Sequence, residues 1–291
     1  MYIIDAHAHL WKRQNGKVDG RDVYPVGGGK SNFGGTVRQM IPPYMTDDAN
    51  TAERFLANMD YAQVSAAVIT QEEIDGNQDE YLLNVRKTWP QRFRICSLYE
   101  ENKQFRTEGF DGIKLCAGRL PTADLTRHAE VFDRASREGK FISIDLADGD
   151  LQTGSLAEII QQYPDLKIAV GHFGMVTREG WLEQIRLARY KNVYIESGGI
   201  TWLFHEQFYP YPDAVRAIRE AADICGFDKL MWGSDYPRTM VEITYKMSYD
   251  FIMKSTELHE REKEAFLYKN AQAFYGFASL CSCVEIPNML S

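Results

Sequence analysis

Nowhere in its 291 residues does the chain hold an unbroken apolar run near the roughly 18 residues that a membrane span requires. No basic segment precedes the first apolar stretch either, since Met1 leads straight into YIIDAHAHL, and a secretory leader needs such a segment. The cytoplasm is the expected location. Positive charge is in deficit: 33 Lys+Arg against 41 Asp+Glu leave a formal −8, which argues against nucleic acid or an anionic membrane as a partner. Cysteine is scarce. The five present (Cys96, Cys116, Cys225, Cys281, Cys283) are odd in number and lack metal-finger spacing, so they read as reduced, mostly buried thiols. No GxGxxG follows the first strand-like run, and GGGK at 27–30 has neither the preceding strand nor the following helix of a phosphate loop, so it reads as a flexible turn. What the chain has in plenty is apolar surface: 44% hydrophobic residues, with 15 Phe, 16 Tyr and 5 Trp, enough to bury one large core or two small ones.

Eight short apolar runs bounded by turn residues are predicted strands, at 2–6, 64–70, 93–98, 110–116, 140–146, 167–172, 192–197 and 229–234. Most precede a segment with apolar residues at three- and four-residue spacing, such as AERFLANMDYAQ, EYLLNVRKTW, HAEVFDRASREG, SLAEIIQQY, WLEQIRLARY and AVRAIREAADICG, as helices lying on a sheet require. Successive Ile, Val and Leu in the strands suit a parallel sheet buried on both faces. Strand alternating with helix eight times over about 280 residues predicts an α/β fold, a (β/α)8 TIM barrel, with a doubly wound sheet as the alternative. The barrel is expected to span 1–277 as one domain. Residues 11–50 form a long loop insertion, rich in glycine and proline, expected to act as lid or pocket wall over the barrel mouth. Residues 278–291 form a tail that is either a docking strap or disordered.

Asp5, His7 and His9 alternate at the end of the first strand, so a period of two turns all three to one side. Two imidazoles on one strand form a platform for a divalent metal. Other polar residues also end apolar runs: Lys114, Asp145, His172, Glu196 and Asp235. A charged side chain there is expensive unless paired or ligated, and the five converge only if the strands close into a parallel barrel. His128 and His259, in charge-rich helical segments, read as solvated. His205, in TWLFHEQFYPYP, reads equally as a packed loop residue and as a substrate contact.

These residues together resemble the amidohydrolase superfamily, in the branch that includes sugar-acid lactonases and aminocarboxymuconate-semialdehyde decarboxylase. The resemblance runs from IIDAHAHLW at 3–11 through GFDGIKL (109–115), YPDLKIAVGHFG (163–174), KNVYIESGG (191–199) and KLMWGSDYPR (229–238) to NAQAFYGF at 270–277. It implies a barrel with the site at its mouth, His7 and His9 as metal ligands, and Asp235 as an acid that ligates metal or shuttles a proton. His172 then matches the histidine that orients water or polarises substrate. At the fifth strand, metal-binding members carry histidine, whereas this chain has Asp145. The expected cofactor is a divalent metal, zinc first; Asp145 is a candidate ligand, and a carboxylate there would favour a harder ion such as manganese or magnesium. A metal-free mechanism, as in some lactonases of the branch, is the alternative.

The function this implies is hydrolysis of a small carboxylate- or sugar-derived lactone by metal-assisted water attack, with Asp235 or His172 moving the proton. Lys114 and Arg238 are candidates to grip a substrate carboxylate, and Trp202, Tyr209 and Tyr211 to bind a ring. Lys114 has a second reading, as an ion-pair partner of Asp145 or Asp5. The alternatives are a metal-dependent decarboxylase or hydratase using the same residues, and a non-catalytic ligand-binding barrel. The expected partner is a small molecule, and a homodimer in which the 11–50 segment borders the neighbouring site is compatible with the sequence.

Overall fold

Runs of Ile, Val, Leu and Ala buried on both faces need a neighbour on each edge and a layer on each side. The computed structural model, which describes residues 1–285, 287 and 289, supplies both. Its strands are numbered in chain order. β1 (Ile4–Ala8) is followed by a group of four, β2 (Lys17–Val18), β3 (Arg21–Gly27), β4 (Lys30–Phe33) and β5 (Thr36–Gln39). Then come β6 (Ala66–Ile69), β7 (Phe93–Leu98), β8 (Gly112–Leu115), β9 (Phe141–Ile144), β10 (Ile168–Val170), β11 (Val193–Glu196) and β12 (Leu230–Met231). Strands β1 and β6 to β12 lie side by side in chain order as one parallel sheet, each within one of the eight predicted runs or displaced from it by at most two residues.

The sheet closes on itself to make a (β/α)8 barrel. The segment after β12 returns to β1, where Ala6 N–H donates to the Trp232 carbonyl at 2.9 Å, Asp235 N–H to that of His7 at 2.9 Å, and His9 N–H to that of Tyr236 at 2.8 Å. Outward-facing Ile69, Ile95, Ile113, Leu115, Ile142, Val170 and Ile195 pack with Phe55, Val85, Phe132, Leu156 and Ile218 of the surrounding helices. Each such side chain contributes about 1.5–3 kcal/mol on burial. A second cluster, Ile4, Ala6, Val68, Cys96, Ala169 and Met231, fills the interior and is sealed by Phe274, Tyr275 and Phe277. Only the other end of the barrel remains for polar chemistry.

The six helical segments read from periodicity become helices Ala52–Tyr61, Asp79–Thr88, Ala129–Arg137, Thr153–Gln162, Trp181–Arg186 and Pro212–Cys225. The last stops at Gly226, whose φ of 86° suits a residue without Cβ. Alternation is not complete, because the connection from β7 to β8 carries no α-helix. No helix among the described residues is long and apolar enough to cross a membrane.

Residues 11–50, read as a loop, instead hold the antiparallel sheet β2-β3-β4-β5. The glycines taken as signs of flexibility are its turns. Gly27, Gly28 and Gly29, all at positive φ, join β3 to β4, and Gly34 and Gly35 join β4 to β5. The sheet is anchored through Val18, Val23 and Ile74, with Phe33 and Met40 packed against them. Described residues of the tail lie on the turn before β6, where Gln63 Nε2 donates to the Val284 carbonyl at 3.0 Å. Positions 286, 288, 290 and 291 of that tail lie outside the described residues.

Candidate active site

Strict alternation along β1 does not hold. The pairing shifts register between Asp5 and Ala8, and a bulge of this kind re-aims side chains. Asp5 pairs with Ala67, in the helix-side cluster, and its carboxylate accepts from Ser234 N at 2.8 Å and Tyr245 Oη at 2.8 Å. It braces the seam of the barrel. His7 and His9 turn to the mouth, both buried.

There the two rings are oriented by groups that only accept. His7 Nδ1 lies 2.6 Å from Glu196 Oε1, and His9 Nδ1 lies 3.2 Å from the Thr70 carbonyl. Each Nδ1 is therefore the donor, and in the neutral ring each Nε2 carries a lone pair. The two Nε2 atoms nonetheless face each other at 3.1 Å, and Asp235 Oδ1 lies 2.9 Å from that of His9 and 4.0 Å from that of His7. Glu72 Oε1 is 3.6 Å from His9 Nε2. Burial above all, with Lys114 and His172 adding to it against the pull of Glu196, pushes the His7 imidazolium value down, so a proton is disfavoured between the rings. A divalent cation fits this donor set: atoms of His7, His9, Glu72 and Asp235 all lie within 4.8 Å of one another, and ligands around a tetrahedral zinc stand about 3.3 Å apart. Carboxylate and carbonyl partners behind metal-binding imidazoles are the usual supporting shell.

Asp235 is held from both ends. Trp202 Nε1 donates to its Oδ2 at 2.8 Å, and Arg238 Nη1 lies 3.7 Å from Oδ1. Burial alone would raise its carboxyl; His9, Arg238 and His172 outweigh that and hold it below the usual carboxylate range. His172 donates from Nδ1 to the Gly198 carbonyl at 2.8 Å and sets Nε2 3.6 Å from Asp145. Burial would lower its value, but Asp145 first, then Asp235 and Glu196, raise it to about 10. Asp235 and His172 are also non-glycine residues with φ of 58° and 53°, a conformation that costs on the order of 1 kcal/mol or more and clusters at functional sites. Gly171 and Gly198 leave room for the acids, since a Cβ on Gly171 would collide with Asp145 and one on Gly198 would sit 2.9 Å from Glu196 and the His7 ring.

Above this floor opens a cavity of about 810 Å3, lined among others by Glu72, Asp145, His172, Trp202, Asp235 and Arg238, and by Phe33, Arg38 and Met40 of the inserted segment. Several expected substrate contacts lie elsewhere. Lys114 is fully buried beneath Asp145, Nζ 2.5 Å from Oδ2, so it is an ion-pair partner and does not line the cavity. Arg238 does line it: its Nη2 donates to Asp75 at 2.8 and 3.0 Å and lies 3.6 Å from Glu72, while Nε and Nη1 have no hydrogen-bond partner among the described residues. His205 is exposed, outside the cavity, with Nδ1 2.7 Å from the Trp202 carbonyl. Tyr211 is buried against Phe251, and Tyr209 lies beside it and Asp250. His128, expected to be solvated, is 3% exposed with Nδ1 3.0 Å from Tyr99 Oη, because it ends a 3-10 turn that tucks under the following helix. His259 is exposed as expected.

Sequence reading missed Glu72 and Asp75. Both follow the apolar run of β6 in TQEEIDGNQDE, the same signal that marked the other strand ends, but five acids in ten residues hid which of them face the mouth.

A family model described as amidohydrolase matches residues 4–277. Among curated proteins none matches the chain. Solved structures share the fold. A Pseudomonas putida protein described as a 2-pyrone-4,6-dicarboxylic acid hydrolase aligns with TM-score 0.70 at 23% identity, over 95% of this chain and 98% of that one. A Burkholderia multivorans amidohydrolase with bound zinc gives 0.69 at 14%, over 95% and 99%. The 5-carboxyvanillate decarboxylase of Novosphingobium aromaticivorans, in complex with manganese, gives 0.55 at 17%, over 77% and 80%.

Proposed function

Because this chain belongs to the amidohydrolase family, we propose that it is a hydrolase of small carboxylate- or sugar-derived lactones, working at the barrel mouth with a divalent metal. His7, His9 and Asp235 would hold that ion, with Glu72 as the fourth ligand; Asp145, paired with Lys114, belongs with His7, Glu72 and His172 to a second, overlapping donor group. Two neutral imidazoles suit zinc first; zinc and manganese are the ions in the Burkholderia and Novosphingobium relatives. Bound there, a divalent ion supplies Lewis acidity and lowers the pKa of water toward neutrality.

The observation that carries the reading is the placement of Asp235 on the cavity wall, with Oδ1 2.9 Å from His9 Nε2 and Oδ2 accepting from Trp202 Nε1 at 2.8 Å. Asp235 is ionised at neutral pH, with Oδ2 pinned by Trp202 and Oδ1 turned to the histidines. It takes the proton of the attacking water and returns it to the leaving alkoxide, general base and then general acid. His172, whose value Asp145 above all raises to about 10, is suited to donate from Nε2 to the oxygen that becomes negative.

The experiment is a pH-indicator screen of sugar-acid and dicarboxylic lactones with the metal-loaded protein, before and after chelation, alongside elemental analysis. Acid release at constant carbon count, lost on chelation, supports the assignment. Carbon dioxide release from an unsaturated or aromatic carboxylic acid would replace it with a decarboxylase, and saturable binding without turnover of either class would reduce the barrel to a binding protein.

A further inference from the structure

The cavity floor is densely charged, and its basic groups are turned toward its acids. Glu72, Asp145 and Asp235 face the mouth. Arg238 is held by Asp75, Glu72 and Asp235, and His172 stands by Asp145. Of the remaining lining cations, Arg38 and Arg119 form no ion pair among the described residues. A free cation on the wall would attract a substrate carboxylate to a point away from those three acids.

We propose that Arg38, carried by the inserted sheet, binds a carboxylate of the substrate and makes the enzyme selective for anionic lactones; this deepens the lactone-hydrolase reading and rests on it. Arg38 is in register with Ser31 and so shares its face of the sheet, the face that also carries buried Val23 and the cavity-lining Phe33. Its guanidinium carbon lies 4.7 Å from the centre of the Phe33 ring, a cation–π contact that restrains a side chain otherwise free to wander in solvent. The planar fork of donors is then presented to the cavity, where it matches a carboxylate with two hydrogen bonds. Arg119, on the turn after β8, stands at the same cavity as a second free guanidinium. Two lining carboxylates compete with a ligand: Asp148, already 3.4 Å from Arg178, and Asp19 in the turn between β2 and β3.

Metal-loaded wild type, Arg38→Gln, Arg38→Lys and Val37→Ser are compared on glucaro-1,4-lactone, which carries a free carboxylate, and glucono-1,5-lactone, which does not. Val37 is on the opposite face of the same strand, 57% exposed, and reports any general damage to the sheet. Calorimetric titration with glucarate, against sorbitol, runs in parallel and needs no turnover. Wild type should prefer the anionic lactone, and Arg38→Gln should lower that preference about tenfold or more through KM, the scale of one charge-assisted hydrogen bond. Arg38→Lys should recover part of it, Val37→Ser should keep it, and glucarate binding should weaken in the same order. Arg38-dependent glucarate binding without hydrolysis of either lactone would keep the anion site and sink the lactonase reading. An unchanged lactone preference in Arg38→Gln, or, where neither lactone turns over, glucarate binding that is absent or indifferent to Arg38, would overturn the proposal.

Discussion

Lys114 places its ammonium 2.5 Å from Asp145 Oδ2 with no part of the lysine side chain open to solvent. Burial pulls the lysine value down, but Asp145 more than restores it. Reciprocally, burial would raise the Asp145 carboxyl, and Lys114 with His172 drives it well below the ordinary range. A buried pair of this kind is costly to break from one side. Replacing Lys114 by Met should therefore destabilise the fold by about 3–5 kcal/mol, read from urea denaturation. Joint replacement of Lys114 by Met and Asp145 by Leu should recover much of the loss.

Acid stability follows from the same carboxylates. Asp145 and Asp235 both lie below their unfolded value of about 3.9, so the stability they lend is complete above about pH 4 and is lost as pH falls through the lowered folded values. Lys114→Met removes the largest stabilising influence on Asp145. Its acid-unfolding midpoint should move to higher pH than wild type, measured by circular dichroism between pH 7 and 2.

Metal and activity should disappear together when His7 and His9 are both changed to Ala. Elemental analysis and lactone turnover on the same preparation check this. Turnover surviving in a protein stripped of metal would transfer the chemistry to Asp235 and His172 alone.

Asp235→Asn keeps the shape but not the charge, and should lower kcat by about a hundredfold or more. Trp202→Phe removes only the donor to Oδ2. It should cost less than Asp235→Asn, with Asp235 still able to move the proton but less well aimed. Equal losses in the two variants would mean that Trp202 does more than hold the carboxylate.

Much of this was readable in advance, and the reasons differ by residue. The barrel strands were legible because burial on both faces leaves continuous apolar runs, and His7, His9, His172 and Asp235 were legible because polar groups ending such runs need a purpose. Asp5 was misplaced because a bulge broke the alternation that the sequence pattern presumes. Lys114 reads as a substrate contact or as an ion-pair partner of Asp145 or Asp5, and Arg238 as a substrate contact alone. The Lys114 pair with Asp145 is one of its two readings, whereas Asp75 and Arg238 are close only after the barrel forms, and no local pattern announces that long-range ion pair. The inserted sheet hid behind its own turns, since glycine at a hairpin and glycine in a loose loop are spelled alike.

The barrel is fastened by a short seam, with a two-residue last strand handing over to the bonds that tie Ala6, His7 and His9 to Trp232, Asp235 and Tyr236. His9 and Asp235, 226 positions apart, meet only across that fastening. During synthesis the first strand is made long before Asp235, and its two imidazoles are without that acid until the chain has been made through β12. A chain that stops short of Asp235 lacks the acid that meets both imidazoles, so this cluster is completed only by the last barrel strand and the turn after it.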